Sequence, residues 1–119
     1  MLSLMSLNQT PLFGHHETHG AKIVDFAGWE MPIQYSGILS EHKSVRKNVG
    51  IFDVSHMGQI FVQGKDTVAF LSYVTTWDMK RQKEGDCRYC HILNNDGTII
   101  DDTIVYTLSD EKYMLVPNA

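Results

Sequence analysis

The stretch at residues 87–116 reads CRYCHILNNDGTIIDDTIVYTLSDEKYMLV and contains three segments with the alternation typical of β-strands. We predict strands at 87–93, 98–108 and 112–116. The sequence NDG at 95–97 suits the turn of a β-hairpin, because hairpin turns need residues that accept a positive φ. An antiparallel meander therefore dominates the second half of the chain.

The hairpin fixes which residues face each other. If residues 96–97 form a two-residue loop, His91 faces Asp102 and Tyr89 faces Ile104. Aromatic side chains beside one carboxylate suit a flat polar ligand. The alternative is that His91 only pairs with Asp102 and stabilises the hairpin.

Asp102 is the candidate functional residue of this strand. Alternation places it on one face with Ile100, Ile104 and Tyr106, whereas Asp101 lies on the opposite, more polar face. A carboxylate among apolar side chains must be paired, protonated or positioned for a ligand. The alternative is a structural Asp that bonds to loop amides or to an arginine.

The elements upstream of the meander complete one α+β unit. A strand is predicted at 59–63, and Asp66 is the expected N-cap of a following helix. The order from 59 is β-α-β-β-β, so we expect residues 51–119 to form an incomplete ferredoxin-like unit with a mainly antiparallel sheet. A further helix and strand would be needed after Val116, which leaves an unpaired edge and an uncovered apolar face.

The first half of the chain is expected to belong to a larger domain, with residues 1–50 as its portion. We predict an extended arm at 1–20, a strand at 22–26, a turn-like connector at 27–32 and a helix at 36–50. Ser36 would cap that helix and Gly50 would end it with a positive φ. Four residues are spaced for its buried face, with the second as a core histidine: Ile38, His42, Val45 and Val49.

Composition excludes several classes of protein. Of 119 residues, 43% are hydrophobic and 20% charged, and 10 basic against 14 acidic residues give a net charge of −4. A negative net charge does not support a surface that binds nucleic acid. No apolar run reaches the roughly 18 residues of a membrane span. Residues 1–10 lack Lys and Arg, so we expect no signal or transit peptide and a cytoplasmic location.

Two further groups of residues have chemically suggestive spacing. Cys87 and Cys90 lie in a predicted strand, where they point to opposite faces, and we interpret them as two small buried residues. His15, His16 and His19 lack the further ligands that zinc needs, so we expect no metal.

The segment before the first strand of the α+β unit reads FDVSHMG at 52–58. Asp53, Ser55 and His56 are too close in sequence to form a catalytic triad by themselves. We interpret this segment as a capped turn in which Met57 packs.

Six runs carry a family resemblance along the chain: TPLF at 10–13, AKIVDFAGWEMP at 21–32, QYSGI at 34–38, EHKSVR at 41–46, GIFDVSHMG at 50–58 and NDGTIIDD at 95–102. Together they resemble the T-protein of the glycine cleavage system, a folate-dependent aminomethyltransferase. The order and spacing match from Thr10 to Ala119. That family is longer, with several domains around a central folate site, so this chain resembles its N-terminal part.

The resemblance implies both chemistry and partners. T-proteins take an aminomethyl group from the lipoyl arm of H-protein, release ammonia and pass the one-carbon unit to tetrahydrofolate, a co-substrate. The lipoylated H-protein and the remainder of the chain are the implied partners, without nucleic acid or membrane. The catalytic carboxylate matches Asp102, and the folate-binding positions match Met57, Tyr89, Ile104, Tyr106 and Asn118.

Cys90, His91 and Pro117 depart from the family pattern. The family's further folate-binding groups lie beyond Ala119, so we expect this chain alone to be inactive. One alternative is a non-catalytic folate-binding or regulatory module of the same superfamily. A second alternative is the folate domain of a flavin-containing oxidoreductase, although we expect no room for the upstream flavin domain before Met1. A third is a small redox or metal protein.

Overall fold

The structure of the protein is a computed structural model, which describes residues 6–119. The chain forms two compact units, Met1–His56 and Met57–Ala119, each with its own sheet. The domain boundary expected after residue 50 lies a few residues before this division. Within residues 6–119, no helix is both long enough and apolar enough to cross a membrane.

The first unit is a small sheet with two helices. Its elements in chain order are β1 (Asn8–Gln9), α1 (Phe13–Thr18), β2 (Lys22–Phe26), β3 (Trp29–Gln34) and α2 (Ile38–Lys47). The sheet order is β1-β3-β2, with β1 parallel and β2 antiparallel to β3.

Two predictions for this unit are wrong. The part of the expected extended arm that the structure describes contains β1 and α1, while residues 1–5 lie outside the described residues. The expected connector at 27–32 is mostly β3, and only Ala27 and Gly28, both with positive φ, form a turn. Pro32 is tolerated because it pairs with Ile23 beside a register shift, where a missing N–H costs little.

The helix α2 also differs from the prediction. Its N-cap position is Gly37 rather than Ser36, and the Glu41 carboxylate accepts the backbone N–H groups of Tyr35 and Gly37 at 2.7 and 2.9 Å. Gly50 lacks a positive φ, and the helix ends at Lys47 with Asn48 as its C-cap. No residue of α2 is buried, and the expected core position His42 is exposed.

The second unit is the α+β unit that the sequence predicts. Its sheet has the order β4-β7-β6-β5, and every neighbouring pair is antiparallel. The order β-α-β-β-β is confirmed, and Asp66 occupies the N-cap position of α3 without a side-chain capping bond. The elements are β4 (Ile60–Gln63), α3 (Thr67–Val74), a 3₁₀ turn (Met79–Arg81), β5 (Cys87–Leu93), β6 (Ile99–Ser109) and β7 (Lys112–Pro117).

The β5–β6 hairpin reaches the predicted register by a different route. Its loop has three residues rather than two, because the Asn94 N–H donates to the Thr98 carbonyl at 2.8 Å and Gly97 has φ 84°. A register shift between Ile92 and Leu93 adds one residue on β6. The two differences offset each other, so His91 faces Asp102 and Tyr89 faces Ile104 as expected.

The core of the second unit lies on the face of β6 that carries Thr103, Val105 and Thr107, all buried. Val105 clusters there with Leu71 of α3. Asp102 and Ile104 point to the other face, which is half-buried. The prediction that Asp101 lies on the more polar face of the strand is therefore wrong, because that face of β6 packs into the core. Threonine counts as a polar residue in a sequence pattern, but its methyl group can pack in a core, as it does here.

Candidate functional site

The side chain of Asn118 connects two adjacent carboxylates at the end of the second sheet. Its Nδ2 donates to Asp101 Oδ1 at 2.8 Å and to Asp102 Oδ1 at 2.9 Å, and its backbone N–H donates to Asp101 Oδ2 at 3.1 Å. The register of β6 and β7 places Thr103 opposite Pro117, which brings Asn118 beside the two aspartates.

Asp101 is the anchor of this cluster. Besides the bonds from Asn118, it accepts the backbone N–H of Asp102 at 2.9 Å. The hydrogen bond from the Asn118 side chain is the main reason that the pKa of Asp101 lies below its ordinary value. Asp101 therefore has a structural role that its position in the strand pattern did not predict.

Asp102 is held in place without a cation. Within residues 6–119, no Lys, Arg or His side chain forms an ion pair with its carboxylate. A side-chain hydrogen bond to Asp102 is the main reason that the pKa of the Tyr89 phenol is raised. The Asp102 carboxylate is thus oriented by the neutral amide of Asn118. Within residues 6–119 no cation compensates its negative charge, which remains free for a ligand.

His91 does not pair with Asp102, although the two residues face each other across the hairpin. No hydrogen bond or ion pair joins their side chains in the described part of the chain. The His91 ring instead meets the Tyr89 ring edge-to-face, with centroids 5.4 Å apart. The proposed stabilising His91–Asp102 pair is therefore not formed.

The other predicted site residues lie in the same sheet or directly beside it. Ile104 lies between Tyr89 of β5 and Val116 of β7. Tyr106 lies four residues along β6 from Asp102, about 13 Å away for an extended strand. The N–H of Gly58 donates to the Pro117 carbonyl at 3.2 Å, which extends the β4–β7 pairing and places Met57 beside Asn118 in the register.

A second polar cluster, in the first unit, was not found from the sequence. The two ring nitrogens of the buried His16 contact Asp53 Oδ2 at 2.8 Å and the Tyr35 hydroxyl at 2.7 Å. The Ser55 N–H donates to Asp53 Oδ1 at 2.9 Å, which confirms the capped turn expected there. These residues come from three separate segments, so no local pattern links them.

The protonation of this cluster follows from its surroundings. Burial alone would raise the pKa of Asp53, but polar contacts with Thr10, His16 and Ser55 hold it well below its ordinary range. Burial, and then the charges of Asp53 and Glu41, raise the pKa of Tyr35. The ionised Asp53 therefore accepts the Nε2–H of His16, and the other ring nitrogen of His16 bonds to the Tyr35 hydroxyl. Because the phenol keeps its proton, this arrangement favours structural stability over nucleophilic chemistry.

The cysteines and the remaining histidines form no site. Cys90 is buried, and burial raises the pKa of its thiol, whereas Cys87 is exposed, so the interpretation of two buried cysteines holds only for Cys90. His15 and His19 are exposed. Among residues 6–119, no group of three His, Cys, Asp or Glu side chains is arranged to hold a metal ion.

Comparison with known proteins assigns this chain to a family. The model of the GCVT N-terminal domain family matches residues 12–119, and the chain belongs to that family. It is 46% identical over 116 residues to the aminomethyltransferase of Desulfitobacterium hafniense strain DCB-2, covering 98% of this chain and 32% of that protein. It is 51% identical over 113 residues to the aminomethyltransferase of Chloroherpeton thalassium, covering 95% of this chain and 31% of that protein.

A solved structure supports the same assignment. The crystal structure of the glycine cleavage system aminomethyltransferase T from Bartonella henselae superposes with a TM-score of 0.90 at 45% identity, over 96% of this chain and 32% of that chain. The chain thus spans about a third of the length of the relatives that it matches. The expected family and α+β fold class are confirmed.

Proposed function

We propose that this chain is the N-terminal part of a tetrahydrofolate-dependent aminomethyltransferase of glycine cleavage. In that reaction the aminomethyl group leaves the lipoyl arm of H-protein, its nitrogen departs as ammonia, and its carbon becomes bonded to two nitrogens of tetrahydrofolate. The observation that carries the proposal is the Asp102 carboxylate, which Asn118 orients and which no cation among residues 6–119 neutralises.

Asp102 is the proposed catalytic residue. A carboxylate placed near the reacting nitrogens accepts or holds a proton and stabilises positive charge that develops during transfer. A salt-bridged aspartate would do this poorly, because its charge would already be compensated. The fixed amide of Asn118 removes the need to reorient the carboxylate when the substrate binds.

The apolar half of the site is proposed to hold the flat ring of the folate. Tyr89, Ile104 and Tyr106 form a row along two strands, and aromatic faces pack well on a planar polar ring. Met57 and Asn118 lie at the end of the sheet that carries Asp102. The rest of the folate pocket would come from the remainder of the protein, in a cytoplasmic enzyme with lipoylated H-protein as partner.

The proposal predicts a sharp difference between the whole protein and this chain. We expect the full-length protein to release ammonia from aminomethylated H-protein when tetrahydrofolate is present, and the 119-residue chain to release none. Ammonia release and formation of 5,10-methylenetetrahydrofolate are the measurements.

Folate binding by the full-length protein without ammonia release would instead identify the non-catalytic module. Ammonia release by the purified 119-residue chain would contradict the view that this part is insufficient.

A further inference from the structure

Trp77 of the second unit carries two arginine side chains on its ring. The guanidinium carbons of Arg81 and Arg88 lie 4.8 and 4.0 Å from the ring centroid. Trp77 itself packs against the buried core of its unit. Stacking on a fixed aromatic ring restricts both guanidiniums, so they lose less conformational freedom when they bind a ligand.

Neither guanidinium has an anionic partner within the described residues. Both arginines are exposed, and neither forms an ion pair or donates a side-chain hydrogen bond there. The neighbouring carboxylates bond to backbone N–H groups and not to the arginines: Asp78 accepts the Lys80 N–H at 3.1 Å and Asp86 accepts the Lys83 N–H at 2.9 Å. Two planar sets of N–H donors are therefore available for carboxylates, which they match two bonds at a time.

The main chain beside these arginines is also available. The strand β5 lies at the edge of its sheet, and the Thr76 N–H and hydroxyl bond to the backbone of His91 on the side away from β6. Backbone groups alternate between the two sides of a strand, so Cys87 and Tyr89 present their N–H and C=O groups on that same side. No residue within 6–119 pairs with them there.

We propose that this edge, with Arg81 and Arg88, binds an extended acidic peptide segment of a partner protein. The peptide backbone pairs with β5 at Cys87 and Tyr89, and its carboxylates bind the two stacked guanidiniums. The open main-chain groups favour a polypeptide, because a sugar-phosphate backbone lacks the amide N–H and C=O groups that pair with a β-strand. The net charge of −4 disfavours a general polyanion site. This inference does not depend on the proposed catalytic function.

A titration with hexaglutamate tests the proposal. The chain has two tryptophans, so a Trp29→Phe background leaves Trp77 as the reporter of binding. We expect the Arg81→Gln/Arg88→Gln double variant to bind hexaglutamate roughly tenfold more weakly. The matched control Lys80→Gln/Lys83→Gln removes the same charge from two exposed cations of the same segment, and we expect a change under about twofold.

The binding mode has its own readouts. Hexaglutamate should slow hydrogen exchange at the amides of Cys87 and Tyr89, and a hexaglutamate N-methylated at alternate residues should bind more weakly than the unmodified peptide. The Arg81→Lys/Arg88→Lys variant keeps the charge and should retain intermediate affinity, with circular dichroism confirming the fold.

Three results would overturn the proposal. They are no saturable binding of hexaglutamate, equal losses in the arginine and lysine double variants, and binding of a single-stranded hexathymidylate as tight as that of the peptide. The first two mean that stacking on Trp77 selects no partner, and the third identifies an unspecific polyanion surface.

Discussion

We expect Asp102→Asn to reduce aminomethyl transfer by the full-length protein roughly 100- to 10,000-fold while the protein keeps its fold. The substitution is nearly isosteric, and an amide can still meet Asn118 and Tyr89 once it takes a suitable orientation. It removes the negative charge and the proton acceptor, which are the only properties of Asp102 that the proposed chemistry uses. Single-turnover ammonia release is the measurement, because it isolates transfer from the dissociation of products.

Asp101→Asn is the matched control for that experiment. It removes the same charge one residue away, but Asp101 uses its two oxygens for Asn118 and for the Asp102 N–H. We expect its main effect on stability, about 1 kcal/mol for the weakened hydrogen bonds, with a much smaller loss of transfer. Near-normal turnover in Asp102→Asn, or equal losses in the two variants, would show that the pair only holds the strand ends together.

Local chemistry explains why the second unit could be predicted in such detail. Alternation and turn residues specify β5, β6 and β7, and both act between neighbours in sequence. Because side chains repeat every two residues, a register that places Val105 in the core also places Asp102 outside it. The extra loop residue and the register shift were therefore compatible with the predicted pairing of His91 and Asp102.

The features that the sequence did not reveal depend on contacts between distant segments. α1 has six residues, too short for helix propensity alone, and it contains His16, whose partners are 19 and 37 residues away. Which face of β6 is buried depends on where α3 packs, and a pattern of threonines does not show that. The contacts of Trp77 with Arg81 and Arg88 likewise join a loop to a strand, and no local pattern shows them.

The cluster of His16, Asp53 and Tyr35 leads to the largest expected change in stability. We expect His16→Ala to lower the free energy of unfolding of the first unit by about 3 to 5 kcal/mol. The substitution removes the ring that bonds to Oδ2 of the ionised Asp53, whose side chain is only 2% exposed, and the ring nitrogen that bonds to the Tyr35 hydroxyl. Urea denaturation in a Trp77→Phe background, followed by the fluorescence of Trp29, measures this free energy. The control is His15→Ala, at an exposed neighbouring position, which should change stability by less than about 0.5 kcal/mol.

The same cluster predicts a dependence on acid. The pKa of Asp53 is depressed in the folded chain, so its contribution is fully present above the pKa of the unfolded carboxyl, about 4. As the pH falls from there towards the folded pKa, the contribution is progressively lost. The pKa is also lowered for three other carboxyls, those of Glu41, Asp96 and Asp101. Their contributions to stability are the same in the wild type and in Asp53→Asn, so they cancel in the comparison. The stability difference between these two proteins should therefore shrink between pH 5 and about 3. A difference that stays constant across that range would mean that the carboxylate charge of Asp53 does not stabilise the fold.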